Sequence, residues 1–158
     1  TDVIEGFVPL GEEILDQLNG NIHAVCDTVG TAGTLMGIAK ALKKAKSNCK
    51  VVAVEPSSSP ILSKGIKGSH NVEGVGLGFV PNIYDDKLVD NVISIDETAA
   101  RKICKDLAKK EGIFCGTSSG MNVAAAIQIS KELGPKSRVV TVACDTGLKY
   151  LSEGLFDD

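Results

Sequence analysis

Apolar positions along the chain switch repeatedly between helical and strand-like spacing. Leu10, Ile14, Leu15 and Leu18 recur at helical intervals, and Asn19-Gly20 is placed to stop that helix. His23-Ala24-Val25-Cys26-Asp27 reads as a short buried strand. A small-residue turn follows, and residues 35–46 then form an amphipathic helix. Leu35, Ile38, Ala39 and Leu42 share one face; Lys40, Lys43 and Lys44 share the other. Lys50-Val51-Val52-Ala53-Val54 is a second strand, closed by Glu55-Pro56, so 23–54 has the length of one βαβ unit.

Residues 57–81 are rich in Ser, Gly and Pro, and a connection this long is usually functional. Residues 89–95 predict a third strand. Asp96 caps a helix running to about Lys110, and Gly112 ends it. Ser118 or Ser119 starts another helix through Met121, Val123, Ala126 and Ile127 to Leu133, stopped by Gly134-Pro135. Residues 138–144 are a fourth strand, followed by Asp145-Thr146-Gly147. This alternation predicts an α/β fold: a three-layer αβα arrangement on a mostly parallel twisted sheet, with 1–158 as a single domain.

Composition narrows the partners. Net charge is −3 and 43% of residues are hydrophobic, so neither nucleic acid nor an anionic membrane is expected. No apolar run approaches the roughly 20 residues of a membrane helix, and no secretory leader opens the chain. The start at Thr1 suggests a cut chain. Cys26, Cys49, Cys104, Cys115 and Cys144 show no CxxC pair, and His23 and His70 have no second ligand near them in sequence. No metal site is therefore expected, and reduced, mostly buried cysteines point to the cytoplasm.

Gly30-Thr31-Ala32-Gly33-Thr34 is the sharpest chemical feature, because it lies between a strand and a helix. There, glycines admit an anion to the backbone, threonine hydroxyls add donors, and the helix dipole favours negative charge. It is no Walker loop, since no Gly-Lys-Ser/Thr follows. It is no dinucleotide GxGxxG, since the glycines sit at 30, 33 and 37. A phosphate cradle and a turn kept small only for helix packing both remain open.

The turn resembles the phosphate loop of the cysteine synthase (O-acetylserine sulfhydrylase) family, within the β-family, fold type II pyridoxal-phosphate enzymes. That family reads Gly-Thr-Gly-Gly-Thr there, whereas this chain has Ala32. Further segments agree in order: Val54-Glu55-Pro56; Glu73-Gly74-Val75-Gly76-Leu77-Gly78-Phe79-Val80-Pro81; 111–120; and Asp145-Thr146-Gly147 with Tyr150-Leu151-Ser152. The resemblance implies the large domain of such an enzyme. Gly30, Thr31, Ala32, Gly33 and Thr34 would hold the phosphate of pyridoxal 5'-phosphate. Thr146 would face the pyridine nitrogen unless Asp145 points inward instead, and the alternative for Thr146 is a hydroxyl that caps its own turn. Gly74, Gly76 and Gly78 would line the substrate channel. If position 32 needs φ > 0, Ala32 adds about 1 kcal/mol of strain.

The same resemblance implies β-replacement of O-acetylserine by sulfide, giving L-cysteine and acetate. It implies an amino-acid substrate, a homodimer, and a serine acetyltransferase C-terminal tail as a further partner. The lysine that carries the cofactor and the loop that grips the substrate carboxylate precede this segment in the family, and neither motif occurs here. No catalytic residue is therefore assigned to this chain. Lys149 is not placed as that lysine. The wall toward an absent half is expected to carry Leu77, Phe79, Val80, Phe114 and Met121. Other readings are a cystathionine β-synthase, a serine or threonine dehydratase, or a non-catalytic binding module. Cystathionine β-synthase relatives tend to have an acidic residue in the glycine-rich segment, where this chain has Gly78.

Overall fold

The β-branched and small apolar runs assemble into one parallel sheet in a computed structural model that describes residues 2–157. Its strands are β1 (Ala24–Thr28), β2 (Lys50–Pro56), β3 (Asn91–Ile95) and β4 (Val139–Thr141), in the order β3-β2-β1-β4. Every pairing is parallel: Val25 lies beside Val51 and Val140, and Val54 beside Ile93. Parallel strands need crossover helices, and helices then cover both faces.

Strand alternation decides what each face buries. Val25, Val51 and Ala53 point toward α1 (Asp2–Gln17) and α2 (Gly33–Lys44), packing with Leu35, Ile38 and Leu42. Ala24, Cys26, Val52 and Val54 point the other way, toward α4 (Glu97–Asp106) and α5 (Thr117–Leu133), packing with Ala100, Met121, Ala125 and Ile129. The result is the expected three-layer αβα sandwich.

Several details differ from the sequence reading. The first helix begins at Asp2, well before its apolar stripe, and runs through Pro9. Within 57–81 a short helix α3 (Ile61–Lys64) forms, held by buried Glu55, whose Oε2 accepts from the Leu62 N–H at 2.7 Å. The third strand starts at Asn91 rather than 89. The fourth is only Val139–Thr141, an edge strand paired with β1 alone. Asp96 does cap α4, accepting from the Thr98 and Ala99 N–H groups, but a π-turn, Leu107–Glu111, finishes that helix. α5 starts at Thr117, one residue before the expected serines. Met121 is fully buried rather than on an open wall. Cys26, Cys49, Cys104 and Cys115 are buried free thiols; Cys144 is exposed. Among the described residues no helix is long and apolar enough to cross a membrane.

Candidate functional site

Crossovers run from β1 through α2 to β2 and onward to β3, while β4 returns on the other side of β1. The strand order therefore reverses between β1 and β4. Open α/β sheets bind ligands at that point, outside the carboxyl ends of the strands.

A cavity of about 360 Å³ opens there. It lies within the range of small-ligand sites. Asp27, Thr28 and all five residues of the 30–34 turn line it from β1 and α2. Gly74 lines it from the glycine-rich segment, Ser118 from the start of α5, and Cys144 and Asp145 from beyond β4. The turn, one of the three channel glycines, the α5 start and the C-terminal motif thus converge on one space. The N–H groups of the first turn of α2 have no helical acceptor, so they are donors for a ligand here.

The turn is shaped by contacts on both sides. A Cβ on Gly30 would sit 2.0 Å from the Gly74 carbonyl oxygen, so only glycine lets the two loops close. Ala32 has φ 73 and ψ −2, the left-handed conformation that makes its side chain strained. Gly33 has a different duty. Its missing side chain faces α1, where a Cβ would lie 2.7 Å from Val3 Cγ1, and its N–H reaches Thr31 Oγ1 only at 3.5 Å. Gly33 thus serves helix packing, while Thr31 and Thr34 also line the cavity.

The other expected residues divide. Gly76 and Gly78 are not part of the cavity lining. Both have positive φ, and the Gly76 N–H bonds to the Val29 carbonyl at 3.1 Å. His70 Nε2 meets the Gly76 carbonyl at 3.0 Å, which ties the segment down. Thr146 is exposed and is also outside the lining. Its Oγ1 accepts from the Leu148 N–H at 3.3 Å, and it pairs with Cys115 in a one-residue antiparallel bridge. Asp145 is the neighbour that faces the cavity. Its Oδ2 accepts from Tyr150 Oη at 2.6 Å, and its buried Oδ1 accepts no hydrogen bond among the described residues.

Sequence reasoning passed over Asp27, Thr28, Ser118 and Cys144 as lining residues. Asp27 is 3% exposed. Its Oδ1 accepts from Asn122 Nδ2 at 2.8 Å. Asn122, fully buried, also accepts from the Thr28 N–H at 2.7 Å and donates to the Val142 carbonyl at 2.9 Å, joining β1 to the exit of β4. Burial pushes the Asp27 carboxyl up to about 6, and the Asn122 hydrogen bond only partly opposes it. The one available signal was a charged residue ending an otherwise apolar strand. Lys149 also lines the cavity, with Nζ 3.4 Å from Asp145 Oδ2 and 3.9 Å from Glu73 Oε2. An ammonium held between two carboxylates is not a free-amine nucleophile.

Residues 1–145 match the family described as pyridoxal-phosphate dependent enzyme. The chain belongs to that family. A cysteine synthase of Staphylococcus aureus is 44% identical over 151 residues, which is 94% of this chain and 49% of that protein. The crystal structure of a cysteine synthase from Entamoeba histolytica superposes with a TM-score of 0.93 at 34% identity, covering 99% of this chain and 47% of that one. An O-acetylserine dependent cystathionine beta-synthase from Helicobacter pylori gives 0.92 at 31%, covering 98% and 51%. The chain spans about half the length of the curated relatives it matches. As a site for its family's cofactor, the cavity fits at the phosphate end: glycine-closed backbone, free helix N–H groups and two threonine hydroxyls make an anion donor set.

Proposed function

We propose that this chain is the cofactor-phosphate-binding portion of a cysteine synthase, which replaces the acetate of O-acetylserine with sulfide to give L-cysteine. The observation that carries the reading is the convergence of the 30–34 turn, Gly74, Ser118 and Asp145 on one cavity at the sheet's switch point. The 44% identity to the Staphylococcus aureus enzyme supports it.

In this reading the first-turn N–H groups of α2, with Thr31 and Thr34, bind the phosphate and fix its orientation. Pyridoxal phosphate, when bound, supplies the electron sink that lets a β substituent leave an amino acid. Thr146 would turn its hydroxyl from the Leu148 N–H toward the pyridine nitrogen. That 3.3 Å turn bond is a long one, so the exchange costs little. Gly74 borders the space for the amino acid, with Gly76 and Gly78 setting the backbone behind it. Lys149 stays ion-paired, and the lysine that carries the cofactor lies outside this chain. A homodimer, a serine acetyltransferase tail as partner and a cytoplasmic location belong to the same proposal. Exposed Leu77, Phe79 and Val80 support a contact surface beside the cavity.

The test is L-cysteine formation by the intact protein from O-acetylserine and sulfide, compared with cystathionine formation when homocysteine replaces sulfide. Cysteine as the dominant product supports the reading. Cystathionine as the dominant product moves the chain to the cystathionine β-synthase reading, and the chain is also similar to that Helicobacter pylori structure. Neither product leaves the non-catalytic module.

A further inference from the structure

Asp27 is an awkward residue for an anion site. It is the penultimate residue of β1, three positions before the turn, it is almost fully buried, and it lines the same cavity as the phosphate donors. A carboxylate fixed there would repel any phosphate the turn holds, in a place where little water screens the two charges. A neutral carboxyl would not, and it could keep the Asn122 amide hydrogen bond unchanged.

We propose that Asp27 couples anion binding in this cavity to proton uptake, so that a phosphate-bearing ligand favours the neutral Asp27 carboxyl. The inference rests on the phosphate-site reading above and adds the residue that sets its charge. Burial, the largest influence on this carboxyl, pushes it up to about 6. A bound anion raises it further, because like charge nearby disfavours ionisation. Affinity is therefore flat at low pH and falls as pH rises through and beyond about 6.

The groups around Asp27 do not supply the same effect. Cys26 on its own strand is pushed up to about 11, and Cys144 and Tyr150 are also raised, so all three stay neutral across this range. Asp145, Glu73 and Lys149 stand round the same cavity, with Lys149 paired to both carboxylates. From α5 and β4, Asn122, Ser118 and Thr141 are neutral. Cys115, lowered to about 7 by the hydrogen bond from Cys104, is outside the lining.

Sulfate is the probe, because its own charge is constant between about pH 5 and about pH 8, where carboxyls shifted this way titrate. Binding is measured on the intact protein with its cofactor removed. The expected result is affinity about tenfold weaker at the higher pH for the wild type, one pKa unit of coupling, and a flat profile for Asp27→Asn. Calorimetry of the wild type near neutrality, in two buffers of different ionisation enthalpy, should show net proton uptake on binding. That readout stands even if Asp27→Asn misfolds. The same slope in Asp27→Asn, or no proton uptake by the wild type, would overturn the proposal. Failure of sulfate and inorganic phosphate to bind at any pH would overturn it together with the phosphate-site reading. Binding without proton uptake would overturn it alone.

Discussion

A side chain on Gly30 would begin 2.0 Å from the carbonyl oxygen of Gly74. These two residues are forty-four positions apart in sequence, and their contact closes the glycine-rich segment onto the phosphate turn. The obstacle is backbone, which cannot swing aside as a flexible side chain can.

Gly30→Ala is therefore expected to destabilise the fold by about 3 kcal/mol, the upper range for overpacking, because one of the two loops must move. Urea denaturation at fixed pH measures it. A change below about 0.5 kcal/mol, the scale of ordinary surface substitutions, would show that the loops do not close on each other in solution.

Asp27 gives a pH-dependent stability prediction. Its folded-state pKa is raised, so the neutral carboxyl is the favoured form. The stability this contributes is full below the unfolded value of 3.8 and is lost as pH rises through about 6. Asp27→Asn should thus match the wild type near pH 4 and exceed it by roughly 3 kcal/mol near pH 8, as an order of magnitude for two pKa units. Paired denaturation curves at both pH values decide it. An equal effect at both would mean that Asp27 is not titrating in the fold.

Cys144 offers a chemical reporter of the cavity. It is the one exposed thiol among the described residues, and it lines the site beside Asp145. Its thiol is raised by burial and by the Asp27 charge, so alkylation should be slow. Mass spectrometry after brief iodoacetamide treatment of the native protein should find Cys144 modified first. Pyridoxal phosphate should protect it. Unchanged labelling with saturating cofactor would place the ligand elsewhere.

The chain on its own should self-associate. Leu77, Phe79 and Val80 are 43%, 58% and 48% exposed on one short segment, and β4 leaves an unpaired sheet edge. Phe114 and Leu148 add apolar surface near the C-terminal turn. Sedimentation velocity across a concentration series should show a rising average mass. A single monomeric species at the highest concentration would contradict this.

How far the sequence carried the structure depends on what each residue's role requires. The strands and crossover helices were legible because Val25, Val51 and Val54 need burial on a sheet and Leu35, Ile38 and Leu42 share one helical face. The strain at Ala32 was legible only as a condition, that the position need φ > 0, and the structure meets it with φ 73. The start of α1 was less legible, because Pro9 inside it conceals a helix that close packing through Gly11 and Gly37 stabilises. Asp27 offered only its charge at the end of an apolar run, and its partner Asn122 offered no signal. Their pairing spans ninety-five residues and exists only once β1 and α5 are packed together. The turn bond of Thr146 was foreseeable from its residue type, but its bridge to Cys115 pairs residues far apart in sequence.

The central claim is that the 30–34 turn is a phosphate handle. The measurement that tests it most directly is the affinity of the intact, cofactor-free protein for pyridoxal phosphate compared with pyridoxal, which lacks the phosphate. Charge-assisted bonds to N–H groups at a helix N-terminus are worth about 1.5–3 kcal/mol each, so two of them predict at least about a hundredfold preference for pyridoxal phosphate. Inorganic phosphate should compete with pyridoxal phosphate and leave pyridoxal binding untouched. Equal affinity for the two compounds, with no competition by phosphate, would contradict the account.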